Sequence, residues 1–343
     1  MVTSRDVARK VGVDQSTVSK ILSGATNFSD KTIAHVKKVC AEMGYTADTR
    51  ARSLRTSQSY AIAVHLPFGH HALLEDPFIP EFLAGVNSAA ASEEYGTILT
   101  YPEENTKFDL LHVIRSRRAD GLIITSPGAQ DASLDQLIKE NIPIVMGHYE
   151  GAKSQKTICV DVDNFTTGFT AAAFLTERGH RKIGMITQTG TLVANDFIAG
   201  FESRFRQTVT KQSQLLTQPI SISAKEACHA TAFLLAQDNP PTAIVTNLAV
   251  ASFGMIEAVR NMSTNVQLLV VDSALFSELH PEICRICIPT QQLGSQMAQT
   301  LIELIRNGKS AQKPLLLQAK ILDEHGNIFS DPSSPGGLRL NRV

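Results

Sequence analysis

Apolar and polar positions alternate with two different periods along this chain, and the change of period divides it. Residues 3–11, "TSRDVARKV", and 13–22, "VDQSTVSKIL", carry Val7, Ala8 and Val11, then Val13, Val18, Ile21 and Leu22, at helical spacing. Thr3 with Asp6 three residues on is a helix start signal, and Asp14 can accept hydrogen bonds from the free N–H groups of a second helix. Gly12 sits in the tight turn between them. The outward face of the second helix holds Gln15, Ser16, Ser19 and Lys20, and is short, polar and weakly basic. A third helix follows in "SDKTIAHVKKVCAEMGY", with Ile33, Val36, Val39, Cys40 and Met43 on one face, Ser29 as N-cap and Gly44 as its stop. Next comes "TADTRARSLRTSQS", basic and Ser/Thr-rich, in which Leu54 is the one large apolar group.

From residue 60 the pattern turns to short apolar runs separated by amphipathic stretches. "YAIAVHLP", "GTILTY", "ADGLIITSP" and "IPIVMGH" read as strands, divided by helical segments such as "PEFLAGVNSAAASEE" and "SLDQLIKEN". A second series has "RKIGMIT", "TAIVTN" and "VQLLVVDS", interleaved with "GFTAAAFLTERGH", "ACHATAFLLAQ" and "VASFGMIEAVRN". Such alternation predicts parallel sheets covered on both faces. Two series predict two Rossmann-like subdomains with a cleft between them, where ligands collect at the carboxyl ends of strands.

Two short helices joined by a glycine-containing turn suggest a helix-turn-helix, whose second helix lies in a DNA major groove. The alternative is an ordinary helical hairpin capping another domain. Charge favours the first reading: residues 1–58 hold ten Lys and Arg against five Asp and Glu, a net +5, while the rest of the chain carries −6. A basic head on an acidic body suits a phosphate-binding module attached to something that is not one. With 343 residues, two or three units are expected. The longest apolar runs are strand-sized and the N-terminus is charged, so neither a membrane span nor a signal peptide is expected, and the cytoplasm is the expected compartment. Cys284 and Cys287 have half the spacing of a zinc site, but "EICRICI" alternates like a buried strand and no second pair accompanies it. No metal and no cofactor is expected, and no nucleophile–base pair or Gly-rich phosphate loop points to an enzyme. His70 and His71 read as solvated, and His180, in "ERGHRK", as part of a helix end.

The segments "DVARKVGV", "STVSKILSG", "SDKTIAHVKKVCAEMGY" and "ARSLRT" together resemble the DNA-binding head and hinge of the lactose-repressor/galactose-repressor (LacI/GalR) family of bacterial transcription regulators, and "VDVDNFTTGFTAAAFLTERGHRKIGMI" and "GFESRF" extend the likeness through the core. The resemblance implies a three-helix helix-turn-helix domain over 1–46, a hinge helix or linker over 47–58, and an effector-binding and dimerisation core of periplasmic-binding-protein-like α/β fold over 59–335, followed by a tail, 332–343. The core's first subdomain is then about 60–159 plus 289–318 and its second about 160–287 plus 319–331, with crossings near 160, 288 and 319. It further implies a homodimer on double-stranded palindromic operator DNA. Gln15, Ser16 and Lys20 would read bases, Thr3, Thr17, Ser19, Tyr45 and Arg52 would meet the backbone, and Leu54 would be a minor-groove wedge. Where the family usually has Pro-Asn before the hinge helix, this chain has Ala47-Asp48. The tail has Pro and Gly and no leucine heptads, so nothing in it suggests a tetramerising coiled coil.

The effector pocket departs from the family. The Arg that precedes the family's "GF" pair is Phe197 here, its Asp-Arg after the "IPVV" strand is His148 and Tyr149, and a further aromatic is Ile222. Phe78, Asp163, Asn247 and Asp272 stand where the family places aromatic and polar contacts. The loop "PFGHHALLEDPF" is longer than the corresponding family turn. Without a guanidinium, an anion such as a sugar phosphate would face Asp163 and Asp272 uncompensated. A neutral or cationic ligand with a flat face, sugar or nucleoside-like, fits better. The expected function is a DNA-binding regulator, a repressor, modulated by such a metabolite. Two alternatives stay open on sequence: a ligand-independent DNA-binding regulator with a degenerate pocket, and a cytosolic sugar-sensing or sugar-processing α/β protein.

Overall fold

A computed structural model describes residues 2–22, 27–45, 53, 56, 58–66, 70–102, 110–125, 132–147, 157–188, 190–208, 210, 213–308, 315–331 and 333. The chain divides between Ser59 and Tyr60 into two units.

In the first unit, α1 (Ser4–Val11), α2 (Gln15–Leu22) and α3 (Asp30–Glu42) follow the three apolar stripes. Thr3 and Asp6 form a reciprocal capping box at the start of α1. Gly12 ends that helix in the left-handed region, at φ 81°, with its N–H bonded to the carbonyl of Ala8, a conformation only glycine adopts without steric cost. Helix α2 opens on the carbonyl of Asp14, which accepts from the N–H groups of Thr17 and Val18. Ser29 caps α3 by accepting from Thr32 N at 3.2 Å. Val7, Ala8, Val18, Ile21, Val36, Val39 and Cys40 form the buried core, with Tyr45 and Phe28 among the half-buried side chains around it.

The second unit contains two sheets. The first holds β1 (Ala61–His65), β2 (Gly96–Thr100), β3 (Leu122–Ile124), β4 (Ile144–Met146), β5 (Thr157–Val162) and β11 (Leu315–Leu317), all parallel, in the order β11-β5-β4-β3-β1-β2. The second is ordered β13-β12-β10-β9-β8-β6-β7. Its strands are β6 (Lys182–Thr187), β7 (Gln214–Pro219), β8 (Ala243–Thr246), β9 (Gln267–Val271), β10 (Cys284–Cys287), β12 (Lys320–Leu322) and β13 (Ile328–Phe329), the last two antiparallel to their neighbours. Helices α4 (His70–Glu75), α5 (Phe78–Ser92), α6 (Leu110–Arg115) and α7 (Ala132–Lys139) belong to the first series. Helices α8 (Asn164–Glu177), α9 (Leu192–Arg206), α10 (Ala224–Leu235), α11 (Ala249–Met262) and α12 (Ala274–Leu279) belong to the second. Helix α13 (Thr290–Asn307) returns to the first, where Leu293, Met297 and Leu301 pack with Ile62, Phe82 and Val86.

The chain therefore crosses after Val162, after Cys287, and between Leu317 and Lys320. The first crossing lies past residue 160, because Val160, Asp161 and Val162 still pair with Leu315, Leu316 and Leu317 of β11. In the second lobe α8 and α9 pack at backbone distance: a Cβ on Gly168 would strike the Phe197 carbonyl, and one on Gly200 the Phe165 carbonyl. This close approach fixes the backbone that carries Phe197.

Candidate functional site

The head presents its polar residues on α2. Gln15, Ser16 and Lys20 are exposed, whereas Val18 and Ile21 on the opposite face are buried. Gln15 is also oriented: its Oε1 accepts from Arg5 Nε at 3.2 Å and its Nε2 donates to Ser4 Oγ at 2.8 Å. An amide oxygen has two lone pairs and an amide nitrogen two hydrogens, so each retains one free site. Sequence reasoning missed Ser4 and Arg5, whose signal was their position in the first turn of the preceding helix. Thr17 and Ser19 are half-buried and Tyr45 packs on the head core. Thr3 is held by its cap: both its hydroxyl and its amide donate to Asp6 Oδ2, at 2.6 and 3.0 Å. Arg52 and Leu54 lie outside the described residues, as do Ala47 and Asp48 and nearly all of the hinge and tail.

In the core, a cavity of about 1070 Å³, its open mouth included, lies at the carboxyl ends of the strands. Thr125 follows β3, Gly147 follows β4, Asp161 and Val162 end β5, Gln188 follows β6 and Asn247 follows β8. This is where an open α/β sheet places its ligands. The wall is mostly apolar: Phe78, Phe82 and Met297 from the first lobe, Val193, Phe197, Ile222, Leu248 and Val271 from the second. Asn247 is steadied by Thr187, whose hydroxyl donates to its Oδ1 at 2.7 Å. Across the two lobes, Glu81 of α5 accepts from Ala274 N at 2.7 Å.

Of the pocket residues expected from sequence, Phe78, Phe197, Ile222 and Asn247 line this cavity. His148 and Tyr149 lie outside the described residues. Asp163 and Asp272 are not among the described residues that line the cavity. Asp163 caps α8, its Oδ1 accepting from Thr166 N at 2.9 Å, and its Oδ2 accepts from Gln318 at the third crossing. Asp272 accepts from the Cys287 thiol and lies 3.8 Å from Arg285 Nε, while burial raises its carboxyl above the usual range. Both carboxylates brace the crossing segments, and the carboxylates of the wall are instead Asp76 and Asp161. Asp161 was legible as a carboxylate in an otherwise apolar buried strand, and Asp76 as the acid two residues before Phe78.

The remaining chemistry is structural. Cys284 donates to Glu324 Oε2 at 3.1 Å while Cys287 turns to Asp272, and both thiols are pushed up to about 12, first by burial. Among the described residues, no three His, Cys, Asp or Glu side chains group to hold a metal ion, and no helix is long and apolar enough to cross a membrane. His180 follows the last turn of α8, its N–H bonded to the Leu175 carbonyl and its ring to the Thr242 hydroxyl. Burial and the neighbouring Arg178 and Arg181 lower its pKa.

A helix-turn-helix head on a two-lobed, periplasmic-binding-protein-like core defines a recognisable class of DNA-binding protein. The chain belongs to the LacI family: residues 3–48 match the family of bacterial regulatory proteins of that name, and residues 71–325 match the family of periplasmic binding proteins and sugar-binding domains of LacI regulators. It is a DNA-binding transcriptional regulator of that family. Among its relatives, the regulator MalR of Streptococcus pneumoniae is 25% identical over 317 residues, 90% of this chain and 94% of that protein. The ribose operon repressor of Haemophilus influenzae is 24% identical over 328 residues, covering 93% and 96%. The fold is shared with the lac repressor dimer bound to operator and the anti-inducer ONPF, at a TM-score of 0.74, 20% identity and coverage of 93% and 97%. It is also shared with a CelR–cellobiose complex, at 0.68, 20%, 95% and 100%.

Proposed function

We propose that this regulator is a repressor that binds a palindromic operator as a homodimer, and that a small ligand in the cleft, sugar or nucleoside-like and not an anion, changes its DNA affinity. The observation that carries the DNA side is the exposed row of Gln15, Ser16 and Lys20 on the second helix of the head, opposite its buried Val18 and Ile21. Gln15, already oriented by Ser4 and Arg5, keeps one acceptor and one donor for an adenine edge, and Lys20 reaches a guanine. Leu54, paired with its dimer mate at the palindrome centre, is the wedge that opens a base step from the minor groove.

The effector side rests on the cavity and on its charge. No Lys, Arg or His lines it among the described residues, so the described wall holds no side chain that compensates an anion. Coupling follows from linkage, since a ligand shifts operator affinity only by its preference between core conformations. A mobility-shift assay on a palindrome, with and without metabolites, tests both halves, with the lane expected to shift and one ligand class expected to move it. Selection from randomised operators using Gln15→Ala is expected to return a changed consensus, and an unchanged one removes Gln15 from the readout. A degenerate pocket is the second reading, favoured by the burial of Phe197, 2% exposed and packed on Phe201. Under that reading no metabolite stabilises the core.

A further inference from the structure

The short link between α4 and α5 supplies one wall residue whose charge meets no counter-charge among the described residues. Asp76 follows α4 and lines the cavity, where its Oδ1 accepts from Phe78 N at 3.1 Å. No side chain hydrogen-bonds or ion-pairs with its carboxylate among the described residues. Burial pushes this carboxyl up to about 6, against the opposing Phe78 N–H, which still leaves it ionised at neutral pH. A carboxylate drawn out of water with no cation beside it is costly, and a ligand that brings the cation offsets that cost. Two residues on, the half-buried Phe78 lies stacked on Phe82, ring centroids 5.7 Å apart at 13°, and this aromatic face lines the same wall. An aromatic ring and an anion on one cavity wall can together recognise a cation, one by its quadrupole and the other by its charge. Thr125 Oγ1, buried and without a hydrogen bond among the described residues, and Asn247 offer polar contacts for the rest of a ligand.

We infer that the effector is an organic cation, an ammonium or cationic ring nitrogen carried on a small polar body, with its charge seated on Asp76 against the ring of Phe78. This rests on reading the cleft as an effector site. A phosphorylated ligand would meet Asp76 and Asp161 with no basic side chain on the described wall. An uncharged sugar could hydrogen-bond Asp76 but would leave its charge in place, so matched amine and hydroxyl compounds separate the two.

The test uses the full chain, wild type and Asp76→Asn, the variant keeping an acceptor for Phe78 N–H. Glucosamine, choline and spermidine are titrated against glucose and glucose 6-phosphate by calorimetry and thermal shift, with a cooperative melting transition of the unliganded core confirming that the variant folds. At least one cation is expected to bind wild type about tenfold tighter than the uncharged sugar, the advantage of a charge-assisted contact. Asp76→Asn is expected to erase that advantage, and Phe78→Leu to weaken the same cation by about two- to fivefold. If glucose binds wild type as well as the cations do, or if the advantage survives Asp76→Asn, the inference is overturned while the cleft remains an effector site. If no compound of any class shifts wild type, the inference and the effector reading fall together.

Discussion

The head and the core solve opposite problems with their polar residues. In the head, Gln15, Ser16 and Lys20 stand exposed within two turns of one helix, and a buried core behind them, Val7, Val18, Ile21, Val36 and Val39, only holds that helix in place. In the core, Asp76, Thr125, Asp161 and Asn247 converge on an apolar cavity from loops and strand ends scattered through both lobes. A DNA-reading surface can be built from neighbours in sequence, because a helix already places them on one face. A cavity for a small molecule needs walls on several sides, so it draws on residues brought together only by the sheets. The head is therefore expected to fail locally and in its readout, and the core to fail through packing and desolvation.

The largest expected effect tests the packing side. Phe197→Ala removes a ring that is 2% exposed and part of the second lobe's buried cluster, and should destabilise the core by about 3–5 kcal/mol in calorimetric melting. Measured on the full chain with the best ligand, this variant also separates the two readings of the pocket. A large loss of stability with no ligand-dependent shift in either protein marks a packed interface, whereas a ligand shift lost only in the variant marks a binding wall.

Next comes Asp76→Asn, which tests desolvation through pH. The carboxyl is held at about 6 in the fold against 3.8 for an ordinary Asp, so the folded state binds this proton more tightly than the unfolded state. The wild-type stability owed to this group is thus greatest below about 4 and is lost as pH rises from there through 6. The neutral variant lacks that loss. Its melting should overtake the wild type across this window and exceed it above pH 7 by on the order of 3 kcal/mol. Equal melting curves at pH 8 would show that Asp76 has found a counter-charge.

Lys20→Ala is expected to act on the other region only. Its operator discrimination should drop by about 1–3 kcal/mol per lost base contact, with the salt dependence of binding changing little and core melting unchanged. A uniform loss across all sequences would reassign Lys20 to phosphate. The smallest effect is that of Ser29→Ala, which removes the 3.2 Å cap on Thr32 N and should cost the head about 1 kcal/mol while leaving ligand-induced melting shifts of the core intact.

The amino-acid sequence by itself determined the parts of this protein that depend on near neighbours. The stripes Val7-Ala8-Val11, Val18-Ile21-Leu22 and Ile33-Val36-Val39-Cys40 specify the three helices, Thr3 and Ser29 begin two of them, and Gly12 supplies the left-handed turn. The apolar runs such as "AIAVH" and "LLVV" specify buried parallel strands, since both faces must be covered. What only the tertiary structure decided is which polar groups share a space. Asp163 and Asp272 stand where the family resemblance places polar contacts, while in the fold the first caps α8 and meets Gln318 across a crossing, and the second pairs with Arg285 and Cys287. Asp76 and Asp161 stand on the wall because the short link between α4 and α5 and the end of β5 open on the same cavity. Periodicity reports which face of an element is buried, but burial against a helix and burial against a ligand leave the same pattern, and only the sheet order and the three crossings tell them apart.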